Sequence, residues 1–419
     1  MKCNVPIVQR KHIAFILYDY PLLVSTMVIN SIALLAKEND VEVFTNDNQI
    51  DHNSCAPWLQ KLIVNPQSDR LRRYIVILIS QFFRVISIFV PNRLPLLKWY
   101  FNQVGLILFS RWMHRRLRSH HYDIIIPVEC LSLIAANMAR TGCEDLIYYN
   151  MELLDWSKEN PLYKNKLTLK KLEFEAIKST THVMITSPDR ARIFCDINQF
   201  PKERISVLPI FPLHQESRTR TRYFRDKFSI SDQCQIIIYS GNFMPWAMCL
   251  EIIKSMDTWP KNTVLVMHTW NKYALSSNYF RKMQNAAKNR PVFFSSDFIC
   301  YDDLAPALSS ADVGLLFYES LDANFTEILF SSNKMAEYVA AGIPVICSSF
   351  PSLRCFVEEH GIGRSVDFFE IGDALSQIQS ENEKYRQNVD QCRRKYFEFE
   401  PYFYKAFSEY LNNGSKNKS

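Results

Sequence analysis

Ser331-Ser332-Asn333-Lys334-Met335-Ala336-Glu337-Tyr338-Val339-Ala340-Ala341-Gly342-Ile343-Pro344-Val345-Ile346 is the stretch that decides how this chain reads. Ser331, Ser332 and Asn333 are residue types that cap a helix N-terminus. Gly342 ends a helix, and Pro344-Val345-Ile346 resumes a strand. A helix that stops at glycine and feeds a short β-branched run is one step of a strand–helix–strand repeat, the unit of a parallel sheet. Lys334 falls in the first turn, where the helix dipole disfavours a cation and a capping box prefers Glu or Gln. A lysine beside free backbone N–H groups makes sense when both aim at an anion such as a diphosphate. Glu337 follows three residues later and shares the same side. A carboxylate there suits the paired hydroxyls of a ribose. The residue types alone fit a surface lysine–glutamate pair equally well.

Working outward, the same alternation fills the chain. Apolar runs of strand length stand at 236–240, 264–268, 292–294, 313–317 and 344–347, with helical patterns between them. Upstream, strands are expected at 13–17, 41–44, 123–128, 146–149, 182–186 and 205–209, with helices at 28–37, 131–140 and 162–178. The expected fold is α/β: two tandem Rossmann-like doubly wound domains, with ligands beyond the carboxyl ends of the strands and a cleft between the domains. The divisions are read as 1–212 for an acceptor-binding domain, 213–232 for a polar linker, 233–385 for a nucleotide-sugar-binding domain and 386–419 for a helical tail packing back on the first domain.

Composition narrows the function classes. Apolar residues are 47% and charged residues 22% of 419, as in a globular protein. Glycine is scarce, at 9 residues, and no glycine-rich phosphate loop is present, which sets aside P-loop ATPases and ordinary dinucleotide oxidoreductases. The 11 cysteines form no C-x-x-C pair and suit a reducing compartment. No metal site is expected. The pair Asp302-Asp303 reads as a helix start, and the N-terminus lacks a small-residue cleavage site. The expected location is therefore the cytoplasm.

Charge is concentrated. Positions 70–122 hold ten basic residues and no acidic one, while the rest of the chain holds 39 basic and 43 acidic residues. This basic, aromatic segment, 70–121, has uncharged runs too short to span a bilayer, which takes about 20 residues. It suits a helix lying on an anionic membrane surface, peripheral on the inner face of the cell membrane. The plainer reading is a packed helix pair with a solvated basic face. No recognised nucleic-acid motif accompanies the charge.

Other candidates sit where expected strands end: Glu129 after 123–128, Glu152 after 146–149, Asp19 after 13–17 and His268 closing 264–268. Each carboxylate also fits a helix N-terminus, and the histidine a capped or surface position.

Residues 332–345 resemble the nucleotide-sugar motif of GT-B glycosyltransferases of the group-1, family-4-like kind. Ser310-Ala311-Asp312-Val313-Gly314-Leu315-Leu316 is similar to that family's SADVGL strand, and Tyr239-Ser240-Gly241-Asn242 to its first donor-domain strand and turn. Tyr148-Tyr149-Asn150-Met151-Glu152-Leu153 looks like its Y-D-x-H-E-L region, with Met151 at the histidine. Ser187-Pro188-Asp189-Arg190-Ala191 and Val207-Leu208-Pro209 look like the end of its first domain. Two features depart from the pattern. Leu329 stands where the family's Glu-x7-Glu has its first Glu, and Asn242-Phe243-Met244-Pro245-Trp246 lacks the usual Arg and Lys on the diphosphate.

The resemblance implies transfer of a sugar from a UDP- or GDP-linked donor, used as substrate with no further cofactor, to a glycan, polysaccharide or lipid-linked acceptor. It implies retention of configuration and no metal. Glu337 is then the ribose ligand, with Asn333, Ser332, Gly241, Asn242 and His268 around the nucleotide. Lys334, Glu152 and Glu129 are the candidate catalytic residues. The alternative is a GT-B-like binding or scaffold subunit without activity, which the two departures favour.

Overall fold

The structure is a computed structural model, and it describes residues 10–18, 20, 22, 25–46, 57–64, 94–157, 166–213 and 220–412. The chain divides into two compact units: Met1–Val207 with Ala406–Ser419, and Leu208–Lys405.

The first unit is built on a parallel sheet of β1 (His12–Leu17), β2 (Asp40–Thr45), β3 (Ile63–Val64), β4 (Ile124–Pro127), β5 (Asp145–Asn150), β6 (His182–Ile185) and β7 (Ile205–Val207), in the order β3-β2-β1-β4-β5-β6-β7. The second is a parallel sheet of β8 (Gln235–Ser240), β9 (Thr263–His268), β10 (Val292–Ser295), β11 (Val313–Leu316), β12 (Val345–Cys347) and β13 (Gly363–Ser365), in the order β10-β9-β8-β11-β12-β13. Both are doubly wound, as expected. The central strands are near-continuous apolar runs because helices cover both faces: Ile13 to Leu17 and Ile236 to Tyr239 are fully buried. In each sheet the chain reverses its winding between the first and fourth strands, β1 and β4 or β8 and β11. That is the switch point where doubly wound sheets bind ligands.

The short edge strands β3 and β13 were not expected. Two or three residues are too few to show a period.

The second unit begins earlier than the expected division and ends later. Within 213–232, the described residues include a helix, Tyr223–Lys227, whose Phe224 is fully buried and packs on His268. The expected linker is thus partly core of the second unit. Asp312, from the SADVGL strand, accepts the Ile236 N–H at 2.8 Å and is ion-paired to Arg220, Arg225 and Arg386. Arg386 also donates to the Gly342 and Ala311 carbonyls at 3.1 and 3.2 Å. Helix Asn382–Tyr396 is thereby tied to the second unit. The expected tail at 386–419 is split. A second helix, Phe399–Asn412, starts in the second unit, and its end packs on the first through Phe407 on Tyr149 and Tyr410 on His182.

Candidate active site

In the second unit the site is built on the β8/β11 switch point. Helix Asn333–Ala340 is capped by Ser332, whose Oγ accepts the Met335 N–H at 3.2 Å. Tyr338 fixes this helix against the sheet. Its hydroxyl accepts the Ser240 N–H at 2.8 Å and faces the Ile238 and Leu315 carbonyls at 3.4 and 3.3 Å. The ring lies on Gly314, where a Cβ would come within 2.5 Å of it.

The helix thereby delivers Lys334 beside the end of β8. Lys334 is only 8% exposed, and it makes no hydrogen bond or ion pair to a described residue. Its ammonium lies over the rings of Tyr318, Tyr239 and Trp246, at 4.3, 5.3 and 5.7 Å from their centroids. Gly241 closes the approach. It sits at φ +154°, and a Cβ there would lie 3.3 Å from Lys334 Cδ and 3.5 Å from Nζ. Its N–H donates to the His268 carbonyl at 2.9 Å. Glu337 is half-buried, and burial pushes its carboxyl up to about 8 against the opposing pull of Lys334.

The expected residues therefore meet only in part. Lys334, Ser332, Asn333 and Gly241 converge, with Glu337 one turn along; Asn333 is exposed at the helix start. Asn242 contributes its carbonyl, which accepts the Tyr239 hydroxyl at 2.8 Å. His268 is turned to other work. Its Nδ1 pairs with Ser295 Oγ at 3.1 Å, and burial holds its pKa down near 4, so the ring is a neutral core group. Its carbonyl, rather than its ring, serves the site. The rings of Tyr239, Trp246 and Tyr318 were missed in the sequence. Tyr239 and Trp246 flank Gly241, and Tyr318 lies two residues beyond the SADVGL strand, but nothing in their spacing shows that they share a cation.

In the first unit Glu129 follows β4 at the equivalent switch point. It opens helix Glu129–Ala139 with φ +68°, a left-handed conformation rare for a side-chain-bearing residue. One carboxylate oxygen accepts the N–H groups of Met151 and Glu152 at 2.8 and 3.0 Å. Burial and the nearby Glu152 push its pKa up to about 8, with the two N–H groups opposing. Glu152 is exposed beyond β5. Met151 is enclosed by Tyr20, whose hydroxyl donates to its Sδ at 3.1 Å, and by Arg190, which donates to its carbonyl. Asp19 lies outside the described residues, as do positions 70–93 of the basic segment.

The rest of the basic segment carries helix Leu94–Ser119. Leu106, Phe109, Met113 and Leu117 are buried, while Val104, Ile107, Arg111, Arg115 and Arg118 form an exposed stripe at helical spacing. Among the described residues no helix is long and apolar enough to cross a membrane. Nor do any three or more His, Cys, Asp or Glu cluster to hold a metal ion. Asp302 and Asp303 lie in the first turn of helix Tyr301–Leu308, as their sequence suggests.

Solved structures of other proteins share this fold. Sucrose-phosphate synthase from Thermosynechococcus elongatus matches with a TM-score of 0.65 at 14% identity, over 96% of this chain and 98% of its own. WaaG, a glycosyltransferase of lipopolysaccharide biosynthesis, matches with a TM-score of 0.64 at 14% identity, over 96% and 100%. HepE from Anabaena, in complex with UDP-glucose, matches with a TM-score of 0.67 at 12% identity, over 96% and 99%. The chain has the GT-B glycosyltransferase fold. Residues 260–407 of this GT-B chain also match the family model described as Glucosyltransferase 3-like, C-terminal domain. With that domain, the enzyme class is glycosyl transfer (EC 2.4). No curated protein sequence matches the chain.

Proposed function

We propose that this chain moves a sugar from a nucleotide-sugar donor to a glycan, polysaccharide or lipid-linked acceptor, with retention and without a metal. The observation that carries the reading is Lys334: a buried cation that makes no ion pair with a described residue, set beside a helix N-terminus at a switch point, with Glu337 one turn along. A buried charge without a counter-charge is expensive, and an arriving anion relieves that expense. The donor diphosphate is that anion. Lys334 and the N-terminus of helix Asn333–Ala340 stabilise it as it leaves, and Glu337 takes the ribose hydroxyls. HepE, of the same fold, is seen with UDP-glucose, so a UDP-linked donor is the first to try, with GDP-linked donors second. On the first unit, Glu152 meets the acceptor and Glu129 positions it. The arginine stripe of helix Leu94–Ser119 suits an anionic membrane surface, where a lipid-linked acceptor is found.

Turnover of UDP-glucose and GDP-mannose, measured with and without EDTA, tests the activity. Release of nucleoside diphosphate that survives EDTA supports the reading. Binding of a nucleotide with no turnover across acceptors favours the scaffold alternative, to which Leu329 in the Glu-x7-Glu position points. Absence of binding to anionic vesicles at low salt removes the membrane part.

A further inference from the structure

A buried lysine is ordinarily answered by a carboxylate, which cancels its charge. Lys334 makes no ion pair with a described residue, Glu337 acting on it only through space, and its ammonium lies over ring faces, which attract a cation without cancelling it. The planes of Trp246 and Tyr318 are parallel to within 3°, with centroids 6.4 Å apart, and Phe325 packs on both at 5.5 and 6.2 Å. The ammonium lies nearest Tyr318, at 4.3 Å. Tyr318 has a second attachment: its hydroxyl shares a 2.7 Å hydrogen bond with Ser332 Oγ, the cap of the helix that carries Lys334. Its own N–H donates to Ser348 Oγ at 3.0 Å, which holds the ring to the sheet side. Trp246 belongs to the segment after Gly241, which contains no cation.

We propose that Tyr318 and Trp246 are positioning residues: an aromatic clamp that holds the Lys334 ammonium facing Gly241, so that one cation serves the donor diphosphate. The inference rests on the donor-site reading above. The clamp supplies geometry and a dry surrounding in place of a second positive side chain. Tyr318 sets the distance of the ammonium from the helix cap, and Trp246 adds a second ring face beside it.

Calorimetric titration with UDP and with GDP, plus donor KM and kcat, tests this on the full chain. Tyr318→Leu removes the ring and is expected to raise nucleotide Kd and donor KM by about tenfold or more. Its kcat falls less than its kcat/KM. Tyr318→Phe keeps the ring, loses the hydroxyl link, and stays within about threefold of the parent. Trp246→Leu weakens binding by about three- to tenfold. A folded Tyr318→Leu with parental Kd and KM overturns the clamp. If Tyr318→Leu does not fold, the half-buried Trp246 carries the test, and parental binding by Trp246→Leu overturns it. Lys334→Ala separates the two levels: nucleotide binding undiminished in Lys334→Ala, or absent from the parent for both nucleotides, overturns the donor-site reading itself.

Discussion

The two sheets of this protein present the same topological place with opposite charge. After β4 of the first sheet stands a carboxyl, Glu129, and two main-chain N–H groups answer it. In the second sheet a cation, Lys334, comes to the end of β8 under three ring faces, with Glu337 one helical turn along and no ion pair to a described residue. The difference separates a charge that is already employed from one that is waiting. Glu129 braces the turn after β5 and so fixes Glu152. Lys334 braces nothing among the described residues, and its burial is repaid only when an anion arrives. A shared topology thus places a group without deciding whether that group holds the fold or a substrate.

The comparison breaks most sharply at Gly241. Gly241→Ala puts a methyl 3.3 Å from Lys334 Cδ at a φ of +154°, a conformation that side chains rarely adopt. Donor kcat/KM is expected to fall by about a hundredfold or more, on the scale of losing one preorganised electrostatic contact. Steady-state kinetics with UDP-glucose measures this, and parental kinetics would show that the Gly241 side is not the anion's approach.

Glu337 sharpens the contrast through pH. Its carboxyl titrates near 8 in the empty protein. Ribose hydroxyls donate to the ionised form, so binding draws the group toward ionisation and releases a proton. UDP affinity should rise about tenfold between pH 7 and pH 9 and level off above. Glu337→Gln should bind more weakly at pH 9 and show a flat profile. Calorimetry in buffers of different ionisation enthalpy reads the proton directly.

Glu129 gives the smallest effect, and it falls on stability. Its pKa is raised to about 8 from an ordinary 4.5. The neutral form is therefore favoured by folding, and that advantage is complete below about pH 4.5 and lost as pH rises through 8. Glu129→Gln keeps an acceptor for the Met151 and Glu152 N–H groups but carries no charge. It should match the parent melting temperature near pH 5 and exceed it by several degrees at pH 9. Equal melting at pH 9 would mean that the brace is not strained by its charge.

These residues also show what a sequence alone reveals. The central strands were legible because burial on both faces writes them as apolar runs, and Gly342 and Pro344 punctuate the donor helix. Lys334 and Glu337 were legible because a lysine in the first helical turn contradicts the dipole. The clamp was not legible. Tyr239, Trp246 and Tyr318 come from three segments, and only the fold brings their faces to one ammonium. His268 misled for a related reason: the end of β9 predicts proximity to the site, but Phe224, from the stretch read as linker, covers the ring. The expected divisions at 232 and 386 fall inside the second unit, where Asp312 pairs with Arg220, Arg225 and Arg386 over long sequence separations.

The central claim is that Lys334 is an anion's counter-charge in waiting, and thermal unfolding with and without saturating UDP tests it most directly. At 100 times Kd the nucleotide should stabilise the parent by about 2.7 kcal/mol, a shift of several degrees, and Lys334→Ala should lose nearly all of that shift while melting no lower than the parent when empty. An equal UDP-induced shift in the two proteins would contradict it.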